Sequence, residues 1–556
     1  MPVIEVSWSD LENLLGLSLS EDEIERYLAM LKCELEEIAD DSIFYEATHD
    51  RPDLFSVEGL ARALKGLLKV EVGLRKFNVN AAEKVLINAD GPSYRPYVLG
   101  AVVKNLRLTS EAVKQLMNLQ EKLHITYCRN RRKVSIGVYD LDTIKPPIYY
   151  RKVDPEGIKF VPLDEFKEMT PKEILRVTEK GKTYAYLIEP YSVYPLLIDS
   201  QDKVLSLPPI INSDETRVTE YTRNVFIDVT GTDLELMMKV LIVMVTNIAE
   251  RGRPEEIIPV RVGFSDGFVV LSPNLQVEKH EISSEDVEKV SGLSLSNEDI
   301  VHYLMMMRHD AVLEGSKIKV SVSPYRVDVL HKVDLIEDVL MAYGYENILP
   351  VALPPTHSGR LSPEEYISRK IRDVFIGLGF QEVANYMMSC PEILVHKMRL
   401  RDVKLVEVEN PKMERYTTLR QWLLPGLLSV ISFNKRLGFP IKVFEVGDVV
   451  IVDESKDVKA RIERHVACAL TSQETTMTDG LIICKSVFKT LSVNYQLKES
   501  VHPSFIEGRC AEIIVNSKVI GLIGEFHPEV LSNFEIPSPT VGIEINLSGL
   551  IDELLK

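Results

Sequence analysis

Two stretches far apart in the chain place apolar residues in the same rhythm. In LGLSLSEDEIERYLAMLKCE (15–34), Ile24, Tyr27, Leu28 and Leu31 recur at three- and four-residue intervals; in SGLSLSNEDIVHYLMMMRHD (291–310), Ile300, Tyr303, Leu304 and Met307 do the same. That spacing lines one face of an α-helix. Each run follows a serine and then acidic residues, a helix start in which the side-chain oxygen accepts first-turn N–H groups and carboxylates meet the positive end of the dipole. The likeness continues downstream. IFYEATHDRPDLFSVEGLARALKGL (43–67) and IKVSVSPYRVDVLHKVDLIEDVLMAYG (318–344) each read as a short strand, an Arg-x-Asp turn and a helix. Arg51 and Asp53 align with Arg326 and Asp328. With a one-residue gap Glu58 aligns with Asp334, and Ala61 and Arg62 stand where Glu337 and Asp338 do.

Between the echoes, RPYVLGAVVKNLRL and KVSIGVYDLDTI alternate or run β-branched and predict strands. AVKQLMNLQEKLHITY predicts an amphipathic helix, and DLELMMKVLIVMVTNIAERG (233–252) a buried one stopped at Gly252. After residue 350, LPPTHSGRLSPEEY (353–366) reads as a turn-rich linker, followed by a helix from its Ser-Pro-Glu-Glu start to Gly379. The remainder alternates strands (LVEVEN, KVFEVGDVVIV, AEIIVNSKVIGLIGEF) with helices, which suits an antiparallel sheet with helices packed on it. The class is α+β multidomain. A chain of 556 residues exceeds what one core supports, about 250–300.

Charge and cysteine usage narrow the picture. A net charge of −18 counts against non-specific polyanion binding by the whole surface. The densest basic stretch, YCRNRRK (127–133), reads as an exposed basic turn. Six scattered cysteines form no CxxC pair, so neither a zinc site nor a disulfide framework is expected, and a cytosolic chain with reduced thiols is. No apolar run reaches the roughly 18 residues of a spanning helix, and the start lacks a signal peptide's basic and apolar blocks.

Candidate chemistry centres on YRVDVLHKVDLIEDVLMAYGY (325–345), where Asp328, Asp334, Glu337 and Asp338 crowd together. Like charges so close are costly unless water or a cation compensates them. Asp334, Glu337 and Asp338 share a helix face, and Asp328 can reach the same point from the preceding turn. An all-oxygen set suits a hard cation such as Mg²⁺. The alternative is a solvated acidic helix start favoured by the dipole. Because the first copy lacks half of these carboxylates, a specific job in the second is favoured.

Over essentially its whole length the chain resembles the phenylalanine–tRNA ligase beta-subunit family of the shorter archaeal and eukaryotic type. RPDLFSVEGLARAL, YRVDVLHKVDLIEDVLMAYGYENI, NPKMERYTTLRQWLLPGLL (410–428), KVFEVGDVV (442–450) and GLIGEFHPEVL (521–531) carry the resemblance in this order. It implies a cytoplasmic α₂β₂ enzyme that charges tRNA(Phe), with ATP and phenylalanine bound by the alpha partner and no membrane association. It implies four domains: an N-terminal domain at 1–84, a mixed α/β editing domain at 85–265, a small helical Mg²⁺-binding domain at 266–350 related to the first, and a catalytically silent, antiparallel-sheet class II synthetase-like domain at 351–556. It carries Mg²⁺ ligands onto Asp328, Asp334, Glu337 and Asp338, in a structural or interface role.

Silence of the last domain is also readable in TVGIEINLSGLI (540–551). That segment keeps Gly542 but places Glu544 and Leu547 near the expected second Gly and phosphate-holding Arg. Arg415 or Arg420 remains as an alternative phosphate contact. For editing, a phenylalanine pocket rejects a hydroxylated isostere by only about 10²-fold, so a second site must hydrolyse mischarged Tyr-tRNA(Phe). SLPPIINSDETRVT (206–219) is the candidate, with Asn212, Ser213 and Thr216 able to hold a tyrosine hydroxyl or a water. No Ser-His-Asp set is evident, so a positioned water assisted by the tRNA ribose hydroxyl is expected, and His124 reads as structural. The alternative is a structural, tRNA-docking subunit without editing.

Overall fold

The echoed helices begin where their serine–acid starts place them. Ser20 caps Glu21–Met30, accepting from the Glu23 N–H while the Glu23 carboxylate accepts from the Ser20 N–H. Ser296 caps Asn297–Met306 by accepting from the Asp299 N–H. In this computed structural model, which describes residues 1–82, 85–353 and 357–555, the chain forms two compact units, Met1–Val351 and Ala352–Lys556.

Within the first unit each echoed helix packs beside a three-stranded sheet of the same order. Val3–Ser7, Ser42–Glu46 and Glu34–Ala39 form one; Glu278–Ile282, Lys317–Val322 and Asp310–Glu314 form the other. The region expected to be small and helical is therefore a helix–sheet module, because its short alternating segments have partners to pair with. Register is corrected too. Ser56 and His331, the N-caps of Val57–Leu67 and Lys332–Tyr343, are separated by 275 residues, as are Arg51 and Arg326. No gap is needed, and Gly59, Arg62 and Ala63 take the positions of Asp334, Glu337 and Asp338.

Between these modules lies a ten-stranded mixed sheet. Val225–Gly231 runs antiparallel between Tyr97–Leu106 and Val134–Asp140, so it is paired on both edges. Leu234–Ala249, capped by Asp233, covers one face with side chains buried from Val240 to Ala249. The helix ends at Ala249, short of Gly252, which instead opens the long strand Gly252–Phe264.

The second unit is a seven-stranded sheet, antiparallel except where Gln381–Glu382 runs parallel to Ile441–Val452. Pro363–Gly377, capped by Ser362, and Met477–Leu491 contribute Ile371, Phe375, Cys484 and Phe488 to its core. LVEVEN (405–410) does not form the expected strand: it pairs only through the Glu407–Thr418 bridge and two flanking backbone hydrogen bonds, because its neighbour, Thr418–Leu419, is two residues long. All six cysteines are free, five of them buried. No helix among the described residues is long and apolar enough to cross a membrane.

Candidate functional site

VFIDVTG (225–231) is apolar and β-branched apart from an aspartate at its centre. Asp228 is 2% exposed, on a strand hydrogen-bonded along both edges. A buried carboxyl is expensive unless it is partnered. Its partner is Tyr139, whose hydroxyl donates to Asp228 Oδ1 and lies 2.7 Å from Ser206 Oγ. Burial pushes the Asp228 carboxyl up to about 7, even though Tyr139 and the Arg95 charge act the other way. Room for this trio comes from Gly137, the cross-strand neighbour of Asp228. A Cβ there would lie 2.0 Å from Tyr139 Oη and 2.1 Å from Asp228 Oδ1.

These three residues line a cavity of about 240 Å³. Other residues of the 206–219 segment line it too, including Asn212, Ser213 and Thr216. Their side chains serve mostly to shape the loop. Asn212 Nδ2 donates to the Val138 carbonyl (3.3 Å), Ser213 Oγ to Val161 (3.4 Å) and Thr216 Oγ1 to Ser213 (3.3 Å). Arg131 braces the same loop from the other side, donating to the carbonyls of Pro209 and Ile210 and to Glu121. His124 also faces the cavity. Its Nε2 accepts from the Ile136 N–H at 2.9 Å, so the ring proton sits on Nδ1 beside Glu121. Burial pulls its pKa down to about 4, so it is neutral and its lone pair is occupied. Sequence reasoning missed Asp228 and Tyr139 and gave Ser206 no role within the 206–219 candidate, although a charged residue interrupting a doubly apolar strand was a usable signal.

The four carboxylates of the second echo do not converge. Asp328 accepts from Arg326 Nε (2.9 Å) and Nη2 (2.7 Å). Asp338 accepts from the same guanidinium at 2.9 and 2.8 Å and lies 2.8 Å from His309 Nε2. Burial alone would raise the Asp338 pKa; Arg326 and His309 outweigh it and hold the carboxyl well below its ordinary range. Asp334 caps its own helix by accepting from the N–H groups of Leu330 and His331. Glu337 pairs with Lys32 at 3.2 Å. As they stand the four are not one ligand set. Among the described residues the acidic group able to reach a common point is Glu34, Glu36 and Glu46.

The contrast between the copies has a packing cause. Arg51 grips Asp53 as Arg326 grips Asp328. At the positions of the paired His309 and Asp338, the first copy has Cys33 and Ala63, so both members of the pair differ together.

In the second unit Glu544 accepts the N–H groups of Leu423 (3.0 Å) and Leu424 (3.1 Å) at the start of Leu424–Asn434, and lies 2.8 Å from His465 Nδ1. Burial disfavours the His465 charge, but Glu463 and Glu544 raise its pKa to about 9. Arg420 is buried against Glu445 at 2.6 Å and donates to the carbonyls of Asp448 and Asn385. Its Nε and Nη1 donors are thus engaged with the protein and its charge is paired with Glu445. Arg415 is exposed and stacks on Tyr416.

Known proteins agree with this architecture. The B3/4 domain family matches residues 95–240, the tRNA synthetase B5 domain family 280–345, and the phenylalanyl tRNA synthetase beta chain CLM domain family 348–547. The chain is 45% identical over 548 residues to the phenylalanine–tRNA ligase beta subunit of Thermofilum pendens, covering 98% of each. It is 42% identical over 558 residues to that of Pyrococcus furiosus, covering 99% of this chain and 100% of the relative. A solved N-terminal fragment of the phenylalanyl-tRNA synthetase beta subunit from Pyrococcus horikoshii matches with a TM-score of 0.59 and 42% identity, covering 62% of this chain and all of the fragment. With three family domains in order and relatives aligned end to end, this chain belongs to the phenylalanine–tRNA ligase beta-subunit family.

Proposed function

We propose that the 240 Å³ cavity hydrolyses tyrosine from mischarged tRNA(Phe), while an alpha partner in an α₂β₂ cytoplasmic enzyme holds ATP and phenylalanine and performs the charging. The observation that carries this reading is Asp228, buried in the cavity wall, with Tyr139 as its one side-chain hydrogen-bond partner among the described residues. A carboxyl acceptor in the wall of a cavity that mixes apolar and polar side chains fits a phenolic hydroxyl. Tyr139 engages only Oδ1 of Asp228; phenylalanine offers nothing to the second oxygen, and a site built to bind a hydroxyl rejects the deoxy analogue by about 10⁴–10⁵-fold. Correctly charged tRNA is thereby spared.

In the reaction, water adds to the ester carbonyl, the acyl–oxygen bond breaks, and the proton goes to the departing ribose oxygen. With His124 neutral and its Nε2 engaged, this chain supplies position and polarity rather than a free base. Asn212, Ser213 and Thr216 shape the wall that holds the ester. The catalytically silent reading of 351–556 is supported by Glu544, which occupies a helix N-terminus where a phosphate would need positive charge, and by the neutralised Arg420. An alpha interface on this unit is supported by Phe433 and Leu437, 88% and 82% exposed on adjoining helical turns.

Magnesium at Asp328, Asp334, Glu337 and Asp338 belongs to the same proposal with one requirement: Arg326 must first release Asp328 and Asp338. Incubating the full chain with Tyr-tRNA(Phe) tests the central point. Release of tyrosine well above the spontaneous rate is expected; release at that rate leaves a structural, tRNA-docking subunit.

A further inference from the structure

Behind the wall that carries Arg131 lies a second cavity, of about 310 Å³, bounded by Tyr94, Arg95, Arg132, Tyr186, Leu187 and Tyr191. Its composition is unusual for a chain of net charge −18: two arginines, three tyrosines and no carboxylate. Arg95 is 4% exposed and donates to Thr230 Oγ1 (3.1 Å), Thr230 O (2.7 Å), Ser135 Oγ (2.9 Å) and Arg131 O (3.2 Å). All four partners are neutral, and among the described residues no carboxylate lies within ion-pair distance. Asp228 acts on Arg95 from beyond contact distance, and a buried cation without a direct ion pair is expensive, so an anion arriving at its cavity relieves that cost.

Around this charge stand aromatic faces. Tyr94 and Tyr191 stack at 3.6 Å and 7°, and Arg132 lies 5.5 Å over the Tyr186 ring. Tyr186 and Tyr191 are 48% and 45% exposed, and Arg132 is exposed. Positive charge interleaved with open aromatic rings is the recognition chemistry of single-stranded nucleic acid: phosphates meet arginine, bases stack on rings. A volume near 300 Å³ is at the small-ligand end of binding cavities.

The two cavities share a wall. Arg131 lines the first and its neighbour Arg132 the second; Ser135 lines the first and accepts from Arg95 of the second. We propose that the Arg95–Arg132–Tyr186 cavity binds a nucleotide of the unpaired 3′ end of tRNA, one step back from the residue whose ester enters the Asp228 cavity. The exposed Arg132 takes the phosphate, Arg95 adds its buried charge and the one Nη1 hydrogen not given to Arg131, and Tyr186 or Tyr191 takes the base. The choice of tRNA as partner rests on the editing reading; the binding chemistry does not.

The test uses the full chain and two RNA microhelices with a tRNA(Phe) acceptor stem, one with its unpaired 3′ end and one cut flush, followed by fluorescence anisotropy. Stacking one base contributes about an order of magnitude in affinity. The wild type is expected to prefer the overhanging microhelix by about tenfold or more. Arg132→Ala and Tyr186→Ala should abolish that preference, and Tyr186→Phe should keep it. Unchanged preference in both alanine variants overturns the assignment. So does AMP binding there more tightly than the microhelix, which would make the cavity a free-nucleotide site. Asp228→Asn separates the two readings, since it should impair tyrosine release while leaving the preference intact.

Discussion

Exchanging Asp228 for asparagine alters one atom of a buried carboxyl and removes its ability to ionise. Burial raises this carboxyl from 3.8 to about 7. An acid whose folded pKa lies above its unfolded value holds its proton more tightly in the native state. Its stabilising effect is therefore full below 3.8, declines through the window up to about 7, and is lost above it. Three pH units at ~1.4 kcal/mol each amount to ~4 kcal/mol of stability. Asparagine keeps the shape and an acceptor for Tyr139 but has no such dependence. Calorimetry at pH 5, 6, 7 and 8 should show the melting temperature of Asp228→Asn rising relative to the wild type by several degrees across the series. All other titrations cancel in that difference. Deacylation should move the opposite way, because a hydrogen bond to an ionisable partner contributes ~1–2 kcal/mol more than a neutral one, roughly tenfold in kcat/KM. A melting-temperature difference that stays flat from pH 5 to 8, with deacylation unchanged, would refute the role given to this carboxyl.

Three further outcomes are expected. Gly137→Ala places a methyl about 2 Å from both Tyr139 Oη and Asp228 Oδ1 and should cost ~1–3 kcal/mol in denaturant melts while abolishing deacylation. His465, with its pKa raised from 6.5 to about 9, contributes stability that is full below 6.5 and lost as pH rises through 9; His465→Gln should flatten that loss in melts taken at pH 6, 8 and 10. Arg326→Met strands Asp328 and Asp338 and should destabilise the Met1–Val351 unit by ~3–5 kcal/mol at neutral pH, and adding magnesium to this variant reads directly whether the freed carboxylates take up the ion through recovery of the melting temperature.

Local rules carried far in this chain. Ser20, Ser296 and Ser362 cap helices where a serine followed by acids said they should, because capping involves only neighbours in sequence. The echo was legible because two modules of the same sheet order need the same apolar spacing. Where a reading depended on what happens at the far side of a contact, sequence was silent or misleading. LVEVEN has the right alternation but a neighbour too short to extend it beyond one bridge. Gly252, an ordinary helix stop by local signal, opens a strand.

The site divides along the same line. The 206–219 segment could be singled out by its prolines and small polar residues, which are local features. Asp228, Tyr139 and Ser206 come from three strands that meet only in the folded sheet, so nothing in their spacing announces a hydrogen-bonded trio. The acidic cluster shows the converse. Four carboxylates within one turn and helix look like a ligand set on paper, yet Arg326, His309, Lys32 and a helix N-terminus claim them one by one. By itself the sequence determined the helices, the repeated module, the family and the shortage of positive charge. Only the tertiary structure decided which charges are neutralised and which cavity they surround, because Coulomb energy and desolvation depend on distances between residues that are remote along the chain.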